Sequence, residues 1–238
     1  MNIGAPLQVQ DLRFRFEGQS HDLLTVPSLQ IAAGQSLGLL GISGAGKTTL
    51  FHCLSGIAKP TVGRVVWGDT DIAALKPAPL ASWRHKHLGL VFQDFHLIDA
   101  MTALDNVLLP TYFDNWRIAP CVRQRANELL KAVGMDASDR LAAVLSRGER
   151  QRVAFARALL QKPAIVMADE PTASLDPEHR TQLGNLLVAL TRSQGATLIV
   201  ISHEQELLSR MDRCLTLHDG HLQELSVNHL AKSTSTWT

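Results

Sequence analysis

Four short apolar runs, each followed by a polar residue, restrict the fold of this sequence more than any other feature. Each has the length of a strand, and an uninterrupted apolar run suits a strand buried on both faces, as in a parallel sheet. The runs are Ser36–Leu40, Leu88–Phe92, Ala164–Ala168 and Thr197–Ile201. Because ligands of open α/β sheets bind outside the carboxyl ends of the strands, we expect the polar residues that follow these runs to converge on one site.

Helical patterns alternate with these runs. The apolar residues from Leu50 to Ile57 recur at helical spacing until the Lys59–Pro60 dipeptide, which is expected to end the helix. The leucines from Leu183 to Leu190 repeat that spacing ahead of the last run. Alternation of strands and helices predicts the α/β class.

Two regions depart from this alternation and predict a division of the chain. Residues 7–30 and 62–67 contain short strand patterns with turns, which indicates a small antiparallel sheet. Residues 97–145 lack strand patterns and contain helical stretches. We therefore expect one domain over residues 1–225 and a polar tail over 226–238. Within it, residues 1–96 and 146–225 would form the core with its β subdomain, and about 97–145 a helical subdomain.

Composition narrows the classes of protein. A formal net charge of +1 provides no basic field for binding nucleic acid, so no nucleic-acid partner is expected. The three cysteines are widely spaced, which is typical of reduced thiols in a cytosolic protein. No secretory leader pattern is seen, and no apolar run approaches the roughly 20 residues that cross a bilayer. A membrane role would therefore have to come through a partner.

The segment Gly41–Thr48 matches the pattern G-x-x-x-x-G-K-[ST] between a predicted strand and a predicted helix. Its glycines would let backbone N–H groups surround phosphate oxygens at the positive end of the helix. Lys47 would reach the β- and γ-phosphates, and the Thr48 hydroxyl would bind Mg²⁺. We predict binding of ATP with Mg²⁺. The candidate residues in this loop are Gly41, Ser43, Gly44, Gly46, Lys47, Thr48 and Thr49.

Two carboxylates follow the third apolar run. Asp169 is expected to hold Mg²⁺, and Glu170 is placed to act as a general base for an attacking water. An acidic pair at this position could also be a solvated strand end, but the preceding phosphate loop favours the functional interpretation.

The segment Leu145–Arg152 contains a capping box, with Ser146 as N-cap and Glu149 at N3 of a helix that continues to about Leu160. It could be a well-capped helix and nothing more. A helix N-terminus beside a glycine could also form a second anion site. Physical reasoning on the residues leaves both interpretations open.

The ordered set of motifs resembles the ATP-binding cassette (ABC) family over nearly the whole chain. Besides the phosphate loop and the two carboxylates, the matching motifs are Gln93 of the Q-loop, the signature Leu145–Glu149 (LSRGE), the D-loop Ser174–Asp176 and the switch histidine His203. The resemblance implies a P-loop NTPase with a RecA-like core, an antiparallel β subdomain, an inserted helical subdomain and ATP hydrolysis. A kinase that used the same loop would leave the signature and His203 unexplained.

The resemblance also implies a homodimer in which each ATP lies between the phosphate loop of one subunit and the signature of the other. Ser146 and Gly148 would contact the γ-phosphate in trans, with Asp176 also at the nucleotide. Gln93 and His203 would join Glu170 in catalysis, and Gln93 would join Thr48 and Asp169 at Mg²⁺. Phe16 falls where the family places an aromatic against adenine, with Phe14 as the alternative. Arg147 departs from the usual LSGGQ, and it could either tune nucleotide affinity or face solvent.

The region around Gln93 is similar to one branch of the family, the ATPases of macrolide-export and lipoprotein-release systems. That similarity implies an integral membrane permease as partner, docking near Gln93–Tyr112, and a peripheral location on the cytoplasmic face of the inner membrane. The apolar residues Phe95, Leu97, Ile98 and Met101 could form the docking surface or the subdomain core. A soluble ABC ATPase acting on nucleic acid or ribosomes is the alternative, but such proteins usually carry tandem cassettes or long insertions.

Overall fold

A computed structural model describes residues 4–113, 117–136, 138–173, 175 and 177–225, and within these ranges the chain forms ten strands and seven α-helices. The strands are β1 (Leu7–Phe14), β2 (Leu24–Ile31), β3 (Ser36–Leu40), β4 (Val62–Trp67), β5 (Thr70–Asp71), β6 (Leu88–Val91), β7 (Ile165–Asp169), β8 (Thr197–Ile201), β9 (Arg213–His218) and β10 (His221–Leu225). The helices are α1 (Lys47–Leu54), α2 (Pro77–His87), α3 (Ala103–Leu108), α4 (Pro120–Ala132), α5 (Arg147–Leu159), α6 (Pro177–Gln194) and α7 (Gln205–Leu208). Short 3-10 turns lie at Ile72–Ala74, Leu109–Phe113 and Ala142–Val144.

The four apolar runs form neighbouring strands of one sheet with the order β10-β9-β3-β8-β7-β6. Strands β9, β3, β8, β7 and β6 pair in parallel, and β10 pairs antiparallel with β9 at one edge. The carboxyl ends of β3, β8, β7 and β6 therefore meet at the same edge of the sheet. This arrangement confirms the predicted parallel sheet and brings together the polar residues that follow each run.

The sheet is covered on both faces, which explains why its strands are apolar without alternation. On one face, Val166 and Val200 pack with the helices α3 to α6. On the other face, Met167 and Ile199 pack with α1 and with the smaller sheet. All five residues of β7 and of β8 are buried, so these two strands form the rigid centre of the molecule.

The predicted antiparallel sheet is present, with the order β2-β1-β4-β5. Strand β1 pairs with β2 over its whole length and with β4 on its other side. Its inward residues Leu7, Val9 and Leu12 are buried at 2% exposure or less. The alternation shifts by one residue between Val9 and Leu12, where Asp11 takes a φ of 47° and the register with β4 is irregular. The sheet extends the hydrophobic core that surrounds α1.

Helices α3, α4 and α5 contact one another between β6 and β7; α3 and α4 lie within the predicted insertion 97–145, whereas α5 follows it in the part predicted as core. Asn106 of α3 is fully buried. Its Oδ1 accepts from the Ile98 N–H at 2.8 Å, and its Nδ2 donates to the Ile98 carbonyl at 3.0 Å. These bonds fix the loop that precedes α3. None of the helices in the described ranges is both long and apolar enough to cross a membrane.

One helix end was predicted wrongly. Helix α1 ends at Leu54, not at the Lys59–Pro60 dipeptide, because Gly56 takes a left-handed conformation (φ 68°). The N–H of Ile57 then bonds the carbonyl of His52 at 2.8 Å, which completes a glycine-terminated helix end. The predicted tail 226–238, together with Ser174 and Asp176, lies outside the described residues.

Candidate functional site

A cleft of about 400 Å³ opens at the carboxyl edge of the larger sheet. Eleven predicted site residues line it: Phe16, Ser43, Gly44, Gly46, Lys47, Thr48, Thr49, Gln93, Asp169, Glu170 and His203. Leu23 also lines the cleft, and the sequence had not singled it out. A lone leucine next to a strand carries no pattern that distinguishes it from core, so no signal could have identified it.

The phosphate loop is set by Gly46, which is the N-cap of α1 with φ 94°. A Cβ there would lie 2.9 Å from Leu24 Cδ2, so both the backbone conformation and the packing require glycine. Lys47 follows, and its Nζ donates to the carbonyls of Gly41 (2.6 Å) and Ile42 (2.9 Å). The ammonium group is therefore held over the loop, with the N-terminus of α1 beside it.

Thr48 and Asp169 contact each other across the cleft. The Thr48 hydroxyl donates to Asp169 Oδ2 at 3.0 Å, and Gln93 lines the same cleft. A hydroxyl, a carboxylate and an amide supply oxygen ligands only, which is the donor set that Mg²⁺ prefers. These residues therefore fit a magnesium site. Burial raises the pKa of Asp169, while the bond from Thr48 opposes the rise.

Glu170 and His203 meet at the ends of β7 and β8. The Glu170 N–H bonds the carbonyl of Ile201 at 2.9 Å, and Glu170 has a positive φ of 46°. Such a conformation is strained in a residue with a side chain, and strain of this kind clusters at functional sites. Glu170 Oε1 lies 3.2 Å from His203 Nε2, yet it is buried with no hydrogen-bond partner among the described residues.

The two side chains differ in protonation. Burial raises the pKa of Glu170 to about 7, and the neighbouring charge of Asp169 adds to the rise. Burial lowers the pKa of His203, and the charge of Lys47 lowers it further, which favours the neutral imidazole. A carboxylate that titrates near neutral pH is suited to accept a proton from a water. Burial lowers the pKa of Lys47 as well, against the pull of Glu170 and Asp169.

Phe16 and Phe14 take different positions. Phe16 lines the cleft and is 48% exposed, whereas Phe14 is half-buried against the core of the smaller sheet. Their rings meet edge to face at 5.1 Å between centroids. Of the two aromatic residues considered from the sequence, only Phe16 presents a ring to the cleft.

The signature segment stands apart from the cleft. Ser146 is exposed and forms the predicted capping box with Glu149, whose N–H bonds Ser146 Oγ at 3.3 Å and whose Oε2 accepts from the Ser146 N–H at 2.7 Å. The backbone bond from Ser146 lowers the pKa of Glu149. Arg140, which donates to Glu149 at 2.6 Å, lowers it further. Neither Ser146 nor Gly148 is among the described residues that line the cleft. Asp176 lies outside the described residues.

The apolar residues after Gln93 divide between core and surface. Phe95 is 5% exposed, and Leu97 packs partly buried against the larger core. Ile98 is 43% and Tyr112 is 39% exposed, and Met101 is half-buried. Phe95 and Leu97 therefore belong to the core, whereas Ile98 is open to solvent, and docking at this segment stays a prediction.

Comparison with known proteins bears directly on this geometry. Residues 24–173 match the model of the ABC transporter family. The chain is 39% identical over 223 residues to the macrolide export ATP-binding/permease protein MacB of Rhodopirellula baltica, covering 92% of this chain and 32% of that protein. It thus spans about a third of that relative's length. It is also 39% identical to the lipoprotein-releasing system ATP-binding protein LolD of Syntrophus aciditrophicus, covering 91% of this chain and 98% of that protein.

Solved structures show the same architecture. A dimeric post-hydrolysis state of the ATP-binding cassette MJ0796 bound to ADP and Pi superposes with a TM-score of 0.86 at 31% identity, covering 93% of this chain and 98% of that one. CbiO1 from Clostridium perfringens, part of the ABC transporter complex cbiONQ, gives 0.83 at 27% identity, covering 95% and 90%. These matches confirm the predicted fold class and the similarity to the macrolide-export and lipoprotein-release branch. The chain belongs to the ABC transporter family and is an ATPase cassette of that family.

Proposed function

We propose that two copies of this chain close on two ATP molecules, each between the cleft of one copy and the signature segment of the other, and that closure drives a membrane partner. One observation carries this proposal. The cleft contains the phosphate loop, both carboxylates and His203, whereas the exposed Ser146 lies elsewhere on the molecule. Each chain thus offers one half of two different sites, and MJ0796, a structural neighbour, is described as a dimer.

Within the cleft, Glu170 is the general base. As the oxygen of a water attacks the γ-phosphorus, Glu170 Oε1 takes its proton, and the bond from the γ-phosphorus to the β–γ bridging oxygen breaks to give ADP and phosphate. His203 Nε2 lies 3.2 Å from that oxygen, so the cleft places this side chain beside the proposed base. Lys47, which now bonds two loop carbonyls, exchanges these for phosphate oxygens.

Thr48, Asp169 and Gln93 are the proposed magnesium ligands. Mg²⁺, when bound, neutralises the charge that develops on the phosphate oxygens. Asp169 accepts the Thr48 hydroxyl bond, which orients both oxygens in the cleft. The phosphate-binding loop begins at Gly41, and the other proposed phosphate contacts come from Ser43, Gly44, Gly46 and Thr49. The exposed ring of Phe16 is placed to stack on adenine.

The partner's half of each site is assigned to Ser146, Gly148 and Asp176. Ser146 sits at the N-terminus of α5, where N–H groups and the helix dipole favour an anion. Gly148 is held close to Leu175, since a Cβ at position 148 would lie 3.0 Å from Leu175 Cδ2. Substitution there would therefore move the segment next to the D-loop.

An integral membrane protein is the proposed partner, docking near Gln93–Tyr112. Ile98 and Tyr112 are exposed there, while Asn106 fixes the loop below them. The relatives' names point the same way, because one is part of an export permease and the other of a lipoprotein-releasing system. We place the chain at the cytoplasmic face of the inner membrane, with residues 97–145 as the subdomain that transmits the motion.

The test is ATP-dependent association of the Glu170→Gln variant. With hydrolysis blocked, we expect the variant to elute as a dimer with MgATP and as a monomer without it, by size-exclusion chromatography with light scattering. Glu206→Gln, an exposed change that leaves the cleft intact, is the matched control and should hydrolyse ATP as the unsubstituted chain does. A Glu170→Gln variant that binds ATP but stays monomeric at all concentrations would overturn the proposal.

A further inference from the structure

The turn that follows Gln93 is strained. Phe95 has a φ of 60° and His96 a φ of 47°, so two consecutive residues with bulky side chains lie in the left-handed region. Such a conformation is uncommon for one residue of this kind and persists only where the surroundings fix it. Within the turn, the His96 N–H donates to the carbonyl of Asp94 at 2.6 Å, and the Phe95 N–H donates to that of Phe92 at 3.1 Å.

Arg157 of α5 supplies one restraint on this turn. One guanidinium nitrogen donates to the carbonyl of His96 at 2.7 Å, and the other donates to the carbonyl of Phe95. The planar fork of arginine thus bonds both strained residues at once, which a lysine could not do in the same geometry. The turn is therefore tied to the last turn of the helix that begins at the signature segment.

Arg147 supplies a second restraint from the first turn of the same helix. Its guanidinium carbon lies 5.8 Å from the centroid of the Phe95 ring, within the range of a cation–π contact. Arg147 occupies one of the two positions at which the signature departs from the usual LSGGQ, the other being Glu149. The structure thus gives this residue a contact of its own within the subunit, on the residue two positions after Gln93.

A row of rings continues from the turn to the phosphate loop. The His96 ring meets the Phe92 ring at 5.0 Å between centroids, and Phe92 meets Phe51 of α1 at 6.0 Å. Phe51 is 1% exposed in the helix that Lys47 begins. Gln93 therefore lies in sequence between Phe92, which packs against α1, and the Phe95–His96 turn, which Arg157 holds.

We propose that Arg147 and Arg157 are positioning residues for Gln93, locking the Phe95–His96 turn so that the Q-loop moves with the signature helix. Displacing the helix would then displace Gln93 in the subunit's own cleft. This inference rests on the proposed roles of Gln93 and of the signature segment. It assigns to the Arg147 departure a function inside the subunit rather than at the nucleotide.

The first test replaces Arg157 with Lys in the full chain. Losing the fork should lower kcat for MgATP hydrolysis by about tenfold while KM changes less than about twofold, because misplacement of one catalytic group affects the reaction more than binding. Arg152→Lys is the matched control, since Arg152 of the same helix bonds only Gly134, at 3.4 Å among the described contacts. Equal kcat in the two variants would overturn the proposal.

Two double-mutant cycles separate positioning from loss of folded protein. In a Gln93→Ala background, Arg157→Lys should have almost no further effect on kcat, because it acts through Gln93. A general loss of folded protein would lower kcat equally in both backgrounds and would contradict the proposal.

The second cycle concerns Arg147 and Phe95. Arg147→Gly should lower kcat by about threefold alone and leave it unchanged when Phe95 is already Leu. An equal effect in both backgrounds would place Arg147 at the nucleotide instead.

Failure of this inference is distinguishable from failure of the proposed function. If Glu170→Gln forms an ATP-dependent dimer but both cycles show no coupling, only the positioning role is wrong. If Glu170→Gln stays monomeric while the cycles show coupling, the turn positions Gln93 in a site that does not use the dimer. Both readings come from the same purified variants.

Discussion

The cleft and the signature segment are both built at helix N-termini, yet they differ in every other respect. In the cleft, Lys47 Nζ donates to two loop carbonyls, and a carboxylate oxygen of Glu170 is buried without a hydrogen-bond partner among the described residues. Burial lowers the pKa of Lys47 and raises that of Glu170. At the signature, Ser146 is exposed, and its hydrogen bonds are satisfied within its own capping box. The cleft carries groups poised for chemistry, whereas the signature carries only groups that can bind. The proposed dimer would use this difference, with the signature of one chain completing the cleft of the other.

The largest effect is expected from Glu170→Gln, which removes the only side chain in the described cleft whose pKa is raised to about 7. Because a general base contributes roughly 10²- to 10⁴-fold, hydrolysis should fall by about that factor while ATP binding persists. Phosphate release and nucleotide binding on the same sample measure the two quantities. Loss below about threefold would remove Glu170 from its role as base.

Lys47→Ala should come next in size. It removes the ammonium that now bonds Gly41 and Ile42 across the loop, and with it the charge that meets the phosphates. We expect ATP affinity to fall by about 10- to 100-fold, equivalent to about 1.4–2.8 kcal/mol. Equilibrium dialysis with labelled ATP would measure it, and Lys162→Ala is a control on a lysine outside the cleft. Unchanged affinity would mean that the loop binds phosphate through its backbone alone.

The dependence on pH distinguishes the cleft by its chemistry. Glu170 must be ionised to accept a proton, and its pKa is raised to about 7. The kcat/KM for ATP should therefore fall as pH drops below about 7, approaching tenfold per pH unit. A profile measured from pH 5.5 to 8.5 checks this. A fall that begins only near the ordinary pKa of glutamate, about 4.3, would contradict the burial argument.

The smallest effect belongs to the signature. Ser146→Ala removes the side-chain cap of α5 and should lower the free energy of unfolding by about 1 kcal/mol. ATP binding to the monomer should not change, because Ser146 lies outside the cleft. Denaturant titration and dialysis measure the two, with Ser193→Ala as an exposed control. Weaker ATP binding by the monomer would place Ser146 in the cleft of its own chain and so break the comparison.

How far the sequence predicted the fold follows from the same contrast. The four strand ends were predictable because each apolar run and the polar residue after it are contiguous in the sequence. Helix α2 was not predicted, since it buries no residue and so has no apolar period. The hairpin of β9 and β10 was also missed, because polar residues interrupt the apolar ones in both strands. Helix α1 ends at Leu54 because Gly56 takes a left-handed conformation, whereas the sequence prediction relied on the nearby Lys59–Pro60 dipeptide.

The site shows the same limit. Residue types and spacing identified the phosphate loop and the two carboxylates, whereas the roles of Gln93, His203 and Phe16 came from the resemblance to the family, and Leu23 was missed. Three-dimensional packing alone revealed the raised pKa of Glu170 and the contact of Arg147 with Phe95. A pKa depends on burial and on neighbouring charges, and a cation–π contact joins residues far apart in sequence. Neither leaves a local pattern.

The most direct measurement of the central claim mixes two inactive variants in a Glu170→Gln background. One carries Lys47→Ala and the other Ser146→Arg, so each alone lacks one half of both composite sites. In the mixed dimer, one site receives an intact phosphate loop and an intact signature from different chains. We predict that mixing restores occlusion of about one ATP per mixed dimer. If the mixture occludes no more ATP than the two variants measured separately, the two halves do not meet across a dimer and the account is wrong.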